Sequence, residues 1–463
     1  MNHYSLKMLG LLAGTAVLGS LTMKAQDKAT LDLLVKKGVI SQADADGVAK
    51  SSSNPLAMVS AKDPAVKALK LEGMVQAQYD FLSSSDKLGG NSNPPSTNSF
   101  ELRRIYLGAV ADLGNGWGGE VLMDFAGTAG TQAPTGGAAA LAKPTAISQN
   151  SLEKIVITKK FDDLNGTATV GYRKVDFTQE EVTSSAALKV IERSPATRYF
   201  DESYGNPTNR RLAFANRHTG IYWNGNVADT DTIFDGVYYD AAIADGMNNQ
   251  NLQVTNVNNG SLNRFSFWAG AGYKGAMDDW KYNFGVYTGM SQTQNSNGVA
   301  GAGEQTNAMW GWNPYVTIDY GNFELSAEFL QAWVQRGRAN GAGVASEAKP
   351  YGFTITPSYK INKEWEVVFR YSALDTNGRG TDISDVVRDA PDPNSVSTTL
   401  FNNVDSYYFG VNYYIMGTSL KLSAGYEIDD FSNRQVGGGP IPPTFTGAKT
   451  EVSGFRTQLQ LQF

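Results

Sequence analysis

From Lys70 to Phe463 apolar and polar residues alternate with a period of two, and the alternation is interrupted at intervals that are short and long by turns. In the first segment Leu71, Val75, Ala77, Tyr79 and Phe81 share one face, while Glu72, Gln76, Gln78 and Asp80 share the other. In the last, Phe455, Thr457, Leu459, Leu461 and Phe463 alternate with Arg456, Gln458, Gln460 and Gln462. The same reading predicts strands near 70–82, 100–113, 117–125, 152–160, 167–175, 219–226, 233–243, 264–273, 280–290, 308–320, 323–335, 350–359, 365–374, 404–414, 419–427 and 453–463. That makes sixteen, an even number.

Short links (114–116, 162–166, 227–231, 276–279, 321–322, 361–364, 416–418) take turns with long ones (83–99, 126–151, 176–218, 244–263, 291–307, 336–349, 375–403, 428–452). A soluble sandwich has no reason to place every long loop at one end. A membrane barrel does, because lipid offers backbone amides no partner, so a spanning sheet must close and turn an apolar face outward. The predicted fold class is therefore all-β, a 16-stranded antiparallel transmembrane barrel with a short N-terminal helical segment. Trp117, Tyr172, Trp223, Tyr239, Phe265, Tyr273, Trp280, Trp310, Tyr320, Phe323, Tyr359, Trp365, Tyr407 and Tyr413 fall near strand ends, where interfacial girdles would put them.

A barrel this wide keeps an aqueous lumen. The faces read as inward carry Lys70, Arg104, Lys154, Lys160, Arg173, Arg264, Lys274, Lys281, Arg370, Lys421 and Arg456. Against them stand Glu72, Asp80, Asp112, Glu120, Asp124, Asp240, Glu324, Glu328, Glu366 and Glu427. Eleven cations against ten acids give no bulk selectivity, so a local arrangement must decide.

Several chemistries drop out. The chain has no Cys and two His, His3 and His218, which leaves no thiolate metal site and little for histidine catalysis. A net charge of −6 offers no nucleic-acid signature. Two GxGxxG matches, at Gly114, Gly116, Gly119 and at Gly270, Gly272, Gly275, lack the strand-then-helix context of a nucleotide fold. The acidic pairs 162–163, 278–279 and 429–430 read as turn residues, without EF-hand spacing. No catalytic, cofactor-binding or metal-ligating residue is assigned, and no cofactor is expected.

The N-terminus reads as two pieces. Residues 1–25 pair Lys7 with an uncharged apolar run, Met8–Leu21, too short to span a bilayer, and read as a secretory signal. Residues 26–69 hold a helical stretch at 28–50, with Leu31, Leu34 and Val35 on one face and Gly38 as a stop, followed by a polar linker.

The segment Gly171-Tyr-Arg-Lys-Val-Asp-Phe-Thr-Gln-Glu-Glu-Val-Thr-Ser-Ser, closing with Glu192-Arg193-Ser194, resembles the phosphate-selective porin O/P family. Phe100-Glu-Leu-Arg-Arg and the leading Leu31-Asp-Leu-Leu-Val-Lys-Lys-Gly agree, and Phe463 is similar to the terminal signal read by the barrel-assembly machinery. The resemblance implies a homotrimeric porin in outer-membrane lipid, with both termini periplasmic. It implies a third external loop, 176–218, folded into the lumen, and small anions such as phosphate or pyrophosphate in transit. On that loop the constriction candidates are Lys189, Arg193, Arg198, Arg210, Arg211 and Arg217, with Arg104 and Arg173 joining from the wall. The half from 189 to 218 is net +3, six cations against Glu192, Asp201 and Glu202. A general porin without selectivity, or a plugged barrel with a surface role, are the alternatives; an enzyme is not expected.

Overall fold

The computed structural model describes residues 57–58, 66–85, 96–126, 152–202, 211–212, 214–215, 217–227, 235–245, 265–293, 307–338, 346–391, 400–436 and 444–463. The expected secretory segment 1–25, the helical stretch 28–50 and Arg210 lie outside the described residues, as do most of the long loops. The chain divides into two compact units, Met1–Leu71 and Glu72–Phe463. In the first, Ala57–Met58 pairs antiparallel with Leu69–Lys70.

The alternating segments are strands, and each pairs with the next in order: β1 (Ala68–Ser84), β2 (Ser96–Gly114), β3 (Trp117–Asp124), β4 (Leu152–Phe161), β5 (Gly166–Lys174), β6 (Arg217–Asn226), β7 (Val237–Asp245) and β8 (Phe265–Met277). There follow β9 (Trp280–Thr293), β10 (Asn307–Tyr320), β11 (Phe323–Arg338), β12 (Tyr351–Lys360), β13 (Trp365–Asp375), β14 (Leu400–Tyr414), β15 (Leu420–Val436) and β16 (Thr450–Gln462). β16 then pairs antiparallel with β1, from Val452 opposite Ser84 to Gln462 opposite Met74, and the sheet closes. At this seam Gly73 and Phe463 exchange two backbone hydrogen bonds of 3.0 Å. The Phe463 ring lies over Gly73, where an added Cβ would collide with it.

The two faces differ as the period of two requires. Val121, Ile157, Ile221, Phe284, Phe409 and Leu459 stand outward and are 40–60% exposed, a surface made for hydrocarbon. Near the short turns Trp280 meets Tyr320 at 4.5 Å and Trp365 meets Tyr413 at 4.6 Å; near the long loops Trp310 meets Trp333 at 4.2 Å. Tyr172, expected with them, is buried instead: the alternation breaks beside it at Gly171, whose φ is +140°. The β2–β3 turn is Asn115-Gly116, both at positive φ (53° and 77°), the pair that a two-residue hairpin demands.

The lumen face departs from expectation at the long-loop end. Leu82, Val334, Leu374, Val404, Phe431 and Val452 point inward and are at most 3% exposed. They pack in one core with Phe177, Tyr199, Phe200, Phe214, Ile383 and Val386 from two connections that fold inside the barrel. Apolar residues suit a lumen wall where protein, not water, lies against it. The first connection, after β5, carries α1 (Gln179–Val182) and α2 (Pro195–Asp201), capped by Thr178 and Ser194, whose hydroxyls accept from the Glu181 and Thr197 amides. The second, after β13, carries α3 (Ile383–Val386), and its Arg379 donates to the Tyr199 hydroxyl at 3.0 Å.

Candidate pore constriction

Residues 175–202 cross the lumen on tethers to the opposite wall. Lys421 of β15 donates to the Leu188 carbonyl at 2.6 Å, Asn412 of β14 to the Lys189 carbonyl at 2.8 Å, and Arg370 of β13 to the Glu192 carbonyl at 2.5 Å. Gln460 of β16 reaches the Ala186 carbonyl at 3.1 Å. These donors are inward positions of strands whose alternate residues face lipid, so one periodicity serves membrane and loop together.

The crossing leaves a cavity on each side. Between the loop and β2–β6 lies one of about 180 Å³, lined by Arg103, Arg104, Lys174, Arg193, Arg217 and Arg388. Asp124, Glu153, Glu181, Asp201 and Glu202 line it too, so the formal surplus is one positive charge. Exposure divides the pairs: Arg103, Lys174 and Arg217 are 13%, 32% and 19% exposed against 3%, 6% and 13% for Glu192, Glu181 and Glu153, whereas Glu202 at 23% is more open than Arg198 and Arg211. Burial also pushes the Asp201 carboxyl well above the usual range, despite a Thr178 hydrogen bond that favours its charge.

Arg103 and Arg104 are adjacent, yet both line this cavity. Leu102 and Leu107 both face outward, each 49% exposed, an odd separation that regular alternation forbids. The phase therefore slips by one residue between them and turns the second arginine inward as well. Arg103 makes a paired contact with Glu192 (2.6 and 3.1 Å), and Arg104 donates to Gln76 at 2.8 Å. Arg388 arrives from the second infolded connection and meets Glu101 at 3.0 Å and Glu192 at 3.8 Å.

The residues singled out in the sequence divide accordingly. Arg104, Arg193 and Arg217 meet in the basic cavity; Arg217 belongs to β6 rather than to the loop, bonded to Glu153. Arg193 pairs with Glu181 at 2.5 Å. Arg198 and Arg211 share Glu202 at 3.1 and 2.6 Å. Lys189 lies on the other side of the loop, between Glu324 (2.7 Å) and Glu366 (3.0 Å). Arg173 pairs with Asp176 at 2.9 Å and stacks on Tyr222, in a separate recess. Of the wall cations read as inward, Lys160 stands at the short-turn rim, 66% exposed beside Asp162. Sequence reasoning passed over Arg103, Lys174 and Arg388.

These ion pairs set an acid limit. Burial opposes charge on both loop carboxyls, and neighbouring guanidiniums overturn it: Arg103, Arg388 and Arg104 hold Glu192 well below the usual carboxylate range, while Arg198 and Arg211 bring Glu202 down to about 2. A carboxylate depressed in the folded state contributes its full stability above an unfolded value of about 4.3 and loses it as pH falls through the folded value. The melting temperature, followed by tryptophan fluorescence, is expected to keep the contribution of these pairs from pH 7 to 5. The Glu202 share is lost between about pH 4.3 and 2 in the parent, and E202Q removes that share of the fall.

A closed sixteen-stranded barrel with an apolar outer belt and a lumen narrowed by an infolded connection is the architecture of a diffusion porin. The model of the family "Phosphate-selective porin O and P" matches residues 70–463, and the chain belongs to that family, an outer-membrane porin. Among solved structures it is similar to the anion-selective porin from Comamonas acidovorans (10% identity, 85% of this chain and 99% of that one, TM-score 0.53). It is also similar to the outer-membrane channel DcaP of Acinetobacter baumannii (11%, 88% and 100%, 0.52) and to OprB of Pseudomonas putida (10%, 85% and 94%, 0.51). At such identities the likeness is one of fold. No curated protein sequence matches the chain.

Proposed function

We propose that the porin prefers small anions, phosphate-like ones among them, and that they pass through the cavity between the infolded loop and β2–β6. The observation that carries this reading is the convergence of Arg103, Arg104, Lys174, Arg193, Arg217 and Arg388 on one lumen cavity, where Arg103, Lys174 and Arg217 are each more exposed than the acid they pair with. Guanidinium forks fit phosphate oxygens, and cations at a narrowing offset the cost of partly dehydrating an anion. The family name and the Comamonas porin's anion selectivity support the same direction. The reading places the short turns and both barrel termini in the periplasm, a cleaved leader at 1–25, trimers in outer-membrane lipid, Phe463 as assembly signal, and no enzymatic activity.

The test is the reversal potential of the purified protein in a planar bilayer under a salt gradient, repeated with added phosphate. The parent is expected to reverse on the anion side and to lose chloride current to phosphate. A unit charge about 6 Å from a passing ion is worth ~0.7 kcal/mol in bulk water and ~3 kcal/mol at an effective dielectric of about 20. R103Q/R388Q is thus expected to lower the anion-to-cation permeability ratio about tenfold. A cation-leaning parent, or an unchanged ratio in the variant, overturns the proposal. A second reading, a porin with little selectivity, is favoured by the pairing of Lys189, Arg193, Arg198, Arg211 and Arg217 with acids.

A further inference from the structure

The opposite face of the infolded loop has the reverse character. Between residues 179–190 and β10–β12 lies a second cavity, of about 170 Å³. Its charged lining is Glu180, Glu324, Glu328 and Lys189, a formal surplus of two negative charges. The single cation is already committed, because the Lys189 ammonium sits within 3.0 Å of Glu324, Glu366 and the Ser358 hydroxyl. Glu328 is 7% exposed and accepts only from neutral groups: the Gln179 amide at 2.9 Å, Asn313 at 3.1 Å and the Thr197 hydroxyl at 3.2 Å. Among the described residues no cation stands in ion-pair range of it. A buried carboxylate without a counter-charge is costly, and a cation brought in from solution removes that cost.

The lining also says which cation. Glu180, Glu324 and Glu328 do not converge on one point as metal ligands do; among the described residues only Asp80, Glu101 and Asp389 come so close together. The rest of the wall is rich in hydroxyls, with Thr183, Thr317, Ser326, Thr354 and Thr356 facing the cavity. Spread carboxylates suit a soft-edged organic cation, and hydroxyls both donate to and accept from a hydroxylated solute in place of water. We propose that this face of the loop is a second subsite, one that takes small hydroxylated ammonium solutes. It does not rest on the anion reading, since it lies across the loop from the basic cavity and uses none of its residues.

The test uses the purified full-length porin in a planar bilayer, with ethanolammonium chloride on one side and potassium chloride on the other, and ethylammonium as the probe without a hydroxyl. The parent is expected to admit ethanolammonium severalfold better than ethylammonium. E180Q/E328Q, which keeps volume and one acceptor oxygen of each side chain while removing both charges, is expected to lower ethanolammonium permeability about tenfold relative to chloride. T356V, which only removes a hydroxyl, is expected to erase the preference between the two amines. Equal permeability of the two amines in the parent overturns the proposal. So does an unchanged ethanolammonium-to-chloride ratio in E180Q/E328Q. Should that double variant fail to insert, T356V alone decides, and a retained preference there overturns the hydroxyl assignment.

Discussion

A Glu192→Ala porin is expected to carry more current than the parent and to lean further toward anions. Glu192 sits where the two infolded connections and β2 meet: its carboxylate takes Arg103 at 2.6 and 3.1 Å, Gln78 at 3.3 Å and Arg388 at 3.8 Å. Removing it strips a negative charge from beside the basic cavity and leaves Arg103 without its paired acceptor. Breaking a buried pair from one side costs about 3–5 kcal/mol, because the remaining charge stays uncompensated. The loop stays inside the barrel, held through carbonyls by Lys421, Asn412 and Arg370, which the substitution spares. Arg388 also keeps Glu101 at 3.0 Å. The cost therefore falls on thermal stability, and the gain appears in permeation: an anion-to-cation ratio raised about tenfold by the electrostatics of one charge at close range. E192Q separates the two effects. It keeps the volume, so its selectivity should shift as in the alanine variant with less change in single-channel conductance. A shift toward cations in either variant would sink this account.

The second large effect belongs to the seam. Gly454 of β16 lies opposite Leu82 of β1, and a Cβ added there would collide with the Phe81 carbonyl and the Leu82 backbone. The obstacle is main chain, not a flexible side-chain tip, so it moves only by opening the β1–β16 ladder. Gly454→Ala is expected to reduce the fraction of compact, heat-modifiable barrel on a gel at least tenfold, a penalty of about 1.4 kcal/mol or more, within or above the usual 1–3 kcal/mol of overpacking. Gly417→Ala makes the comparison. It stands in the β14–β15 turn at φ 58° with nothing within 4 Å of an added Cβ, so its cost is backbone strain alone, about 1 kcal/mol, and the barrel should form. Equal yields from the two alanine variants would mean that the seam tolerates a side chain.

Strand number, strand order and the lipid face were legible because lipid on one side and a built interior on the other impose a strict period of two on each strand. Phase was less so: at Arg103–Arg104 the inward residues shift by one, and only the outward Leu102 and Leu107 betray the slip. The loop after β5 was legible by resemblance, through the Glu192-Arg193-Ser194 turn. What its cations do was not, since charge along a chain says nothing about which acid each meets. Glu192 finds Arg103 89 residues away, and Arg379 finds Tyr199 across 180. The second infolded connection left a trace that was open to a different reading. Leu374, Val404 and Phe431 are apolar at inward positions near the long loops, which only makes sense if something dry is to lie against them.

The seam also fixes an order of events. Gln76 bonds to Gln460 across 384 residues, and bringing such distant points together costs about 5 kcal/mol of chain entropy before any contact is gained. Every other strand pairs with a neighbour close in the chain, so the hairpins can form early, but β1 must wait with half of its amides and carbonyls unsatisfied until the thirteen residues of β16 arrive. A growing sheet of this kind is a sticky template at both margins for its whole history, and commitment comes at the last strand. β16 thus acts as a clasp, and until it engages the sheet keeps two open margins.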